Sequence, residues 1–508
     1  MIRLAASIAV LSPTLAVAVT ATAAERPGSL DIRITYVLGE KIHAIAVTAD
    51  DRILVAGGAQ LAPSKITAYR PDGTLDRGFG NDGSAALHPE AREVVAMHVE
   101  PDGQILAGLK EPPRLQRLNP DGSPDMSFGA GGTLDIGFPQ PNAVLTDVVE
   151  QPHGRILVAG TPFGEVEPEK TLHLKRYLAD GSPDPSFGTN GQLDLSAGDP
   201  YAHDVKLSMQ PGGQIVLVVR SYRDRPVRIA RLSPEGVLDP SFGGGGISNA
   251  EFADARRARR ASTGFRSDWR PLTLPDGRIR IPVTLDVPRE RPHRMALVGL
   301  TAAGHPDRGF GRRGLAVAPR PELPGGESPE TVIADQRGGI LVAGSLWSGA
   351  DLTGDEAGLV RRFLRDGTPD RSFGRSGAAR GAVPGGGFSV IEQRLAFLDG
   401  DTLVAAEHNY DGKYGFWGPA ALRMLNAGYD LDDPSIALTT PGCRSVSVRI
   451  DDVSRMDAVI VRADGQVIRR TNRKRFRVRV PDDARRVSVR ATDLAGNSSA
   501  ERARLPRC

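Results

Sequence analysis

Six times along the chain a short phrase returns almost unchanged. It runs Asp72-Gly73 with Asp76 and Phe79-Gly80, then Asp121-Gly122 with Asp125 and Phe128-Gly129, then Asp180-Gly181 with Asp184 and Phe187-Gly188. Three more copies follow: Glu235-Gly236 with Asp239 and Phe242-Gly243, Ala303-Gly304 with Asp307 and Phe310-Gly311, and Asp366-Gly367 with Asp370 and Phe373-Gly374. Phe79 and Phe373 lie five repeats apart, a mean period just under 59 residues. A period of this length, if filled with strands, indicates propeller blades.

The filling is indeed strand-like. Seven hairpin signatures sit between the copies, from "DDRILVAGG" at residue 50 through "PHGRILVAG" at 152 to "LDGDTLVAA" at 398. Each has an apolar strand before it and a tight glycine turn, which is hairpin chemistry. A third strand ("KITAYR", "LHLKRYL", "VRIARL"), the repeated connector and a short fourth strand complete a unit. With 59 Gly and 39 Pro the chain leaves little room for long helices, so the fold class is all-β. Seven units give a seven-bladed β-propeller over residues 25–435. The segment "PGSLDIRITYVLG" opens the chain with a worn connector and a fourth-type strand that has no blade before it. Strand 32–38 is therefore expected to complete the last blade and leave no open edge.

In the connector, Gly73 and its equivalents supply positive φ, Asp76 and its equivalents accept backbone N–H groups, and Phe79 and its equivalents fill apolar space between blades. A calcium loop built on Asp72, Asp76 and Asp82 is the competing reading. It is disfavoured because Asp82 is replaced by Gly131, Asn190, Gly245, Arg313 and Ser376 in the other copies. No metal and no cofactor are expected.

The pattern D-G-x-x-D-x-S-F-G-x-x-G, followed by a P-D-G-x-I-L-V-A-G hairpin, resembles the bacterial delta-60 repeat, a propeller repeat of unassigned function. The resemblance spans roughly residues 28 to 432 and implies the fold. It offers no catalytic residues to carry over.

Residues 1–24, with Arg3, an apolar stretch and small residues at Ala21, Ala23 and Ala24, read as a Sec signal peptide. An uncleaved anchor is the alternative, weakened by Pro13. The mature chain is then secreted or extracytoplasmic, with no transmembrane segment, and is read as a monomer. From Arg444 to Arg507 the composition changes to 17 Lys and Arg against 8 Asp and Glu. Alternating strands such as "RFRVRVPD" and "RRVSVRATD" suggest a small β-sandwich over residues 436–508. Through "VSVRATDLAGNSS" it resembles immunoglobulin-like modules of exported bacterial proteins. Cys443 and Cys508 are the only cysteines, and in an oxidising compartment they are expected to pair and close this module. Its arginines read either as a solvated face or as a contact for an anionic partner.

Function is far less legible. Variable loops on a rigid frame are where binding resides. The richest loop carries His408, Tyr410, Asp411, Tyr414, Phe416 and Trp417, a mixture suited to stacking on sugar rings or gripping a peptide, or simply to packing the loop down. Arg256, Arg257, Arg259 and Arg260 form a second candidate, for anions. His43, His98, His153 and His203 lie in or beside innermost strands but at different repeat positions, and no catalytic motif occurs, so no catalytic residue is assigned. The reading is a non-enzymatic propeller that binds an extracellular glycan, wall polymer or protein, with no nucleic acid expected. A channel-mouth lyase, hydrolase or quinone-dependent dehydrogenase is the alternative, and a structural envelope component the third.

Overall fold

The computed structural model describes residues 30–34 and 41–506, apart from segments of which the longest are 163–169, 222–227, 249–260, 263–269, 348–355, 382–391 and 427–434. The proposed signal peptide, Arg256, Arg257, Arg259, Arg260, Tyr414, Cys443 and Cys508 lie outside the described residues.

All long elements are β-strands. Up to Asn426 the described strands form five four-stranded antiparallel sheets and one nine-stranded sheet, which itself divides into two groups of the same inner, hairpin, third and outer strands with Ala261–Ser262 added to the first. The third group, for example, orders Ala143–Gln151, Arg155–Pro162, Thr171–Tyr177 and Gln192–Ser196. The fifth and sixth groups touch through one parallel bridge, His293 opposite Gly326. The inner strands Lys41–Val47, Val94–Val99, Ala143–Gln151, Ala202–Met209, Leu272–Thr273, Gly326–Ala334 and Glu392–Phe397 each lie against the next, and the last lies against the first. These contacts close a ring. Leu30–Ile34 pairs with Phe416–Asn426, Leu30 standing opposite Leu425 and Ile34 opposite Leu422. The N-terminal strand thus completes the last group as expected, but its described extent begins two residues earlier than 32.

The connectors show why the repeat is needed. Take the copy at Asp184. Its Oδ1 accepts from the Ser186 amide (3.0 Å) and hydroxyl (2.7 Å), while its Oδ2 accepts from Arg176 Nε (2.8 Å). The Arg176 guanidinium lies 4.8 Å from the centroid of the Phe187 ring, and Phe187 is fully buried. The same guanidinium donates from Nη1 to the Pro234 carbonyl of the following blade, and Gly188 N donates to Glu235 O there (3.1 Å). Gly236 of that blade has φ +91°, and a Cβ on it would come within 2.8 Å of the Phe187 ring. Glycine is required twice over, by its φ and by the ring beneath it.

Each connector is therefore a clasp between neighbouring blades. Arg117, Asp125 and Phe128 repeat the arrangement against Ala179 and Asp180, and Arg231, Asp239 and Phe242 repeat it against Ala302 and Ala303. In two blades the third-strand arginine is replaced by Ala68 or Gly299, and the cation arrives instead from the start of the second strand or from the residue just before it. Arg52 lies 3.2 Å from Asp76, and Arg280 donates to Asp307 (2.9 Å) with its guanidinium 4.1 Å from the Phe310 centroid. Arg280 is the cross-strand partner of Gly299, where a Cβ would meet Phe310 at 2.4 Å. In these connectors the second aspartate accepts backbone N–H groups and the phenylalanine is buried, while the arginine has no place in the repeat as read from the sequence. Asp72, Asp76 and Asp82 turn to separate partners: Asp72 to Thr74, Asp76 to Gly78 and Arg52, and Asp82 to Arg77.

Residues 435–506 form two further sheets, one of Ser435–Gly442, Ser445–Asp451 and Arg475–Arg479, the other of Gln466–Thr471, Met456–Ala463, Arg486–Asp493 and Ser498–Arg504. Val446, Val448 and Val478 of the first share one core with Val459, Val461, Val487 and Val489 of the second. Alternation of valine and polar residues along each strand places one face of each sheet inward.

Candidate functional site

The inner strands carry the polar groups that face the ring's interior. An irregularity in pairing recurs at corresponding points, between Ile42 and Ala44, Val94 and Ala96, Leu145 and Asp147, Ala202 and Asp204, and Pro329 and Thr331. Such bulges re-aim the side chains beside them. In the third and fourth blades the residue after the bulge is an aspartate, Asp147 or Asp204, flanked by apolar residues such as Val148 and Val205.

Arg270, which precedes the fifth inner strand, reaches Asp147 of the third blade and His98 of the second. Contact between blades that are not neighbours runs through the centre of the ring. Asp147 is fully buried; Oδ1 pairs with Arg270 and takes the Val148 amide (3.0 Å), and Oδ2 takes the Leu207 amide (2.8 Å). Burial pushes the Asp147 carboxyl above its ordinary range, against the pull of Arg270 and Lys206. Lys206, itself buried, donates to Thr146 O (2.7 Å) and lies 3.5 Å from Asp204. His98 donates from Nε2 to Val148 O (2.7 Å), and Arg270 Nη1 lies 3.2 Å from the same nitrogen. Burial and then the guanidinium push His98 down to about 4, so it is neutral at pH 7.

This cluster of His98, Asp147, Lys206 and Arg270 gathers polar groups from four inner strands or their approaches, of which the sequence singled out only His98. The signal available was a charged residue inside a predicted inner strand, as in "VLTDVVE" and "AHDVKL". His43 and His153 do not join it. His43 is buried and takes the Val94 amide on Nδ1 (3.3 Å), and His153 sits in a hairpin turn at φ 69°. The side chain of His203 lies outside the described residues.

The predicted aromatic site lies at the end of the last hairpin. His408, Tyr410 and Asp411 belong to strand Thr402–Asp411 and Phe416 and Trp417 to strand Phe416–Asn426. The register sets Tyr410 opposite Trp417 and Asp411 opposite Phe416, with His408 opposite Ala420. The sheet thus brings five of the six named residues to one strand end.

On the face carrying the inner hairpin turns, a cleft of about 730 Å³ is lined by Glu100, Asp102, Glu150, His153, Arg117 and Asp180, among others. Burial pushes Glu100 up to about 7, with Arg117 3.7 Å away acting in the opposite direction. The folded protein therefore holds a proton on Glu100 that the unfolded chain releases from about pH 4.3 upward. This group's contribution to stability falls as pH rises between that value and about 7. At the equivalent turn position of the fourth blade stands Gln210, whose Oε1 accepts from Arg231 (3.1 Å), so a glutamine fits the turn. Glu100→Gln is expected to match the parent's melting temperature near pH 4.5 and exceed it by about 1–2 °C near pH 8. A variant less stable than the parent at pH 8 would show that Arg117 requires the charged carboxylate.

Comparison with known proteins adds a family match over part of the chain. The model described as domain of unknown function (DUF5122) beta-propeller matches residues 112–128 and 151–187, which span one clasp and most of the next unit. No curated protein sequence matches the chain. Similar solved structures include the polysaccharide lyase Uly1, at 10% identity, covering 80% of this chain and 98% of that one with a TM-score of 0.40. A protein of unknown function from Dyadobacter fermentans is 11% identical, covering 78% and 99% with a TM-score of 0.39. The GH93 α-L-arabinofuranosidase of Fusarium graminearum is 12% identical, covering 65% and 91% with a TM-score of 0.36. The strand groups, the closed circle of inner strands and the matched family model together identify the chain as an all-β protein built on a β-propeller.

Proposed function

We propose that this is an exported, non-enzymatic, seven-bladed propeller that binds an extracellular glycan, wall polymer or protein at the loop end of its last hairpin. The observation that carries the reading is the register that sets Tyr410 opposite Trp417 and Asp411 opposite Phe416. Aromatic side chains beside carboxylate and imidazole groups suit the apolar faces and hydroxyl edges of sugars. The ring serves as a rigid frame, since its repeated polar residues are consumed in clasps. Residues 1–24 are a signal peptide in this reading, and residues 436–508 are an immunoglobulin-like spacer closed by a Cys443–Cys508 disulfide.

The test is binding of the full mature chain to arrayed glycans and wall polymers, beside a variant with Tyr410, Tyr414 and Trp417 all changed to Ala. The parent is expected to bind at least one class and the folded variant to lose at least about tenfold in affinity, equivalent to about 1.4 kcal/mol. Binding that survives the substitutions places the site elsewhere.

A second reading, a channel enzyme acting on a similar ligand, is favoured by the convergence of His98, Asp147, Lys206 and Arg270. Against it, Asp147 and His98 already engage protein partners. Turnover abolished in Asp147→Asn would decide for it.

A further inference from the structure

The C-terminal sandwich carries a surface that the propeller reading does not use. In its four-stranded sheet, Val459, Val461, Val487 and Val489 point into the core, and the alternate positions point out. Those outward positions hold Arg462, Arg470, Arg486, Arg490, Arg502 and Arg504, all exposed. The register arranges them in three rows. Arg486 stands directly opposite Arg504; Arg502 and Arg462 flank Ser488; Arg490 and Arg470 flank Ile460. Neighbouring strands are about 4.8 Å apart and alternate residues about 7 Å apart, so cationic groups are distributed over the sheet at close intervals in both directions.

Two features give the face a direction of chemistry. Like charges set opposite each other in a sheet are destabilising, and the Arg486–Arg504 pair is such an arrangement. A bound polyanion would relieve it. The same end of the sheet opens into a cleft of about 800 Å³ lined by Arg485, Arg486, Arg502 and Arg504. Asp464, the one carboxylate among its described lining residues, accepts the Arg485 and Arg486 amides (2.9 Å each), which ties it to the backbone.

The geometry points to this face as a docking surface for a linear polysaccharide that carries a carboxylate in its repeating unit. Guanidinium groups bind carboxylates with paired hydrogen bonds, and a repeating anion can meet several rows at once. The described outward positions of this sheet hold no aromatic side chain on which a base could stack, and no helix projects from it to enter a nucleic-acid groove. Those are the features that read bases or grooves beyond phosphate contact, and the oligo(dT) arm below tests phosphate contact itself.

The experiment uses the full mature chain with polygalacturonate, neutral galactan and oligo(dT) as probes. The parent is expected to bind polygalacturonate at about 50 mM NaCl and to weaken about tenfold by about 300 mM as screening rises. The variant Arg486→Ser/Arg502→Ser/Arg504→Ser, whose sites are all exposed, is expected to retain its melting temperature and lose at least about tenfold in affinity. The Tyr410/Tyr414/Trp417 variant is expected to bind polygalacturonate like the parent, which separates this site from the propeller site. No binding of polygalacturonate, equal binding of galactan, tighter binding of oligo(dT), or undiminished binding by the serine variant would each overturn the proposal.

Discussion

Phe187→Ala is expected to destabilise the propeller by about 3–5 kcal/mol, read as a fall in urea midpoint followed by near-ultraviolet circular dichroism. The ring is fully buried, it underlies Gly236 of the next blade, and it carries the Arg176 guanidinium on its face. Removing it leaves a cavity bounded by two blades, so neither blade alone can collapse to fill it. The loss should equal or exceed that of truncating a smaller side chain of the same core, such as Leu174→Ala. A Phe187→Ala variant with an unchanged midpoint would mean that the connectors do not hold the blades together.

Arg176→Leu is expected to cost about 2–4 kcal/mol, because it takes the nearest cation from the buried Asp184 carboxylate and leaves it to the more exposed Arg155, 3.2 Å away. Adding Asp184→Asn should recover a substantial part, since the amide oxygen still accepts from Ser186 while the charge is gone. The pH dependence supplies an internal check. Burial alone would raise the Asp184 carboxyl, but the Ser186 hydroxyl and amide and then Arg176 and Arg155 outweigh it and hold it below the usual range. A depressed carboxylate contributes stability that is present above the unfolded value of about 3.9 and is lost as pH falls through the lower folded value. The deficit of Arg176→Leu relative to the parent should therefore be largest at neutral pH and shrink below about pH 4. A deficit that does not change with pH would assign the effect to lost packing on Phe187.

The repeat made the blades legible because its glycines and aspartates answer local backbone demands, which leave a mark at fixed spacing. The arginines of the clasps were harder to see. Arg117, Arg176 and Arg231 each precede their aspartate by eight residues, but Arg52 and Arg280 reach the same place from the hairpin turn and the strand that follows it. What recurs there is the position of a cation in space. The central cluster was hidden for a related reason. His98, Asp147, Lys206 and Arg270 come from four different blades, and only closure of the ring brings them together. The aromatic hairpin was found because its residues are close in sequence and remain on paired strands.

The pairing of Leu30–Ile34 with Phe416–Asn426 imposes an order of events as well as a shape. Within each blade the hairpins join residues close in sequence and can form early. This last pairing joins segments about 400 residues apart, so the earliest-synthesised strand waits for nearly the whole propeller to emerge before it has a partner. The entropy of closing so large a loop grows only slowly with its length, so the final state is little penalised, but contacts this remote slow the approach to it. During that interval the last hairpin presents an unpaired edge, which another chain's first strand matches as well as its own. Assembly at low chain concentration thus favours the closed single ring, whereas crowding of half-finished chains favours strand exchange between copies.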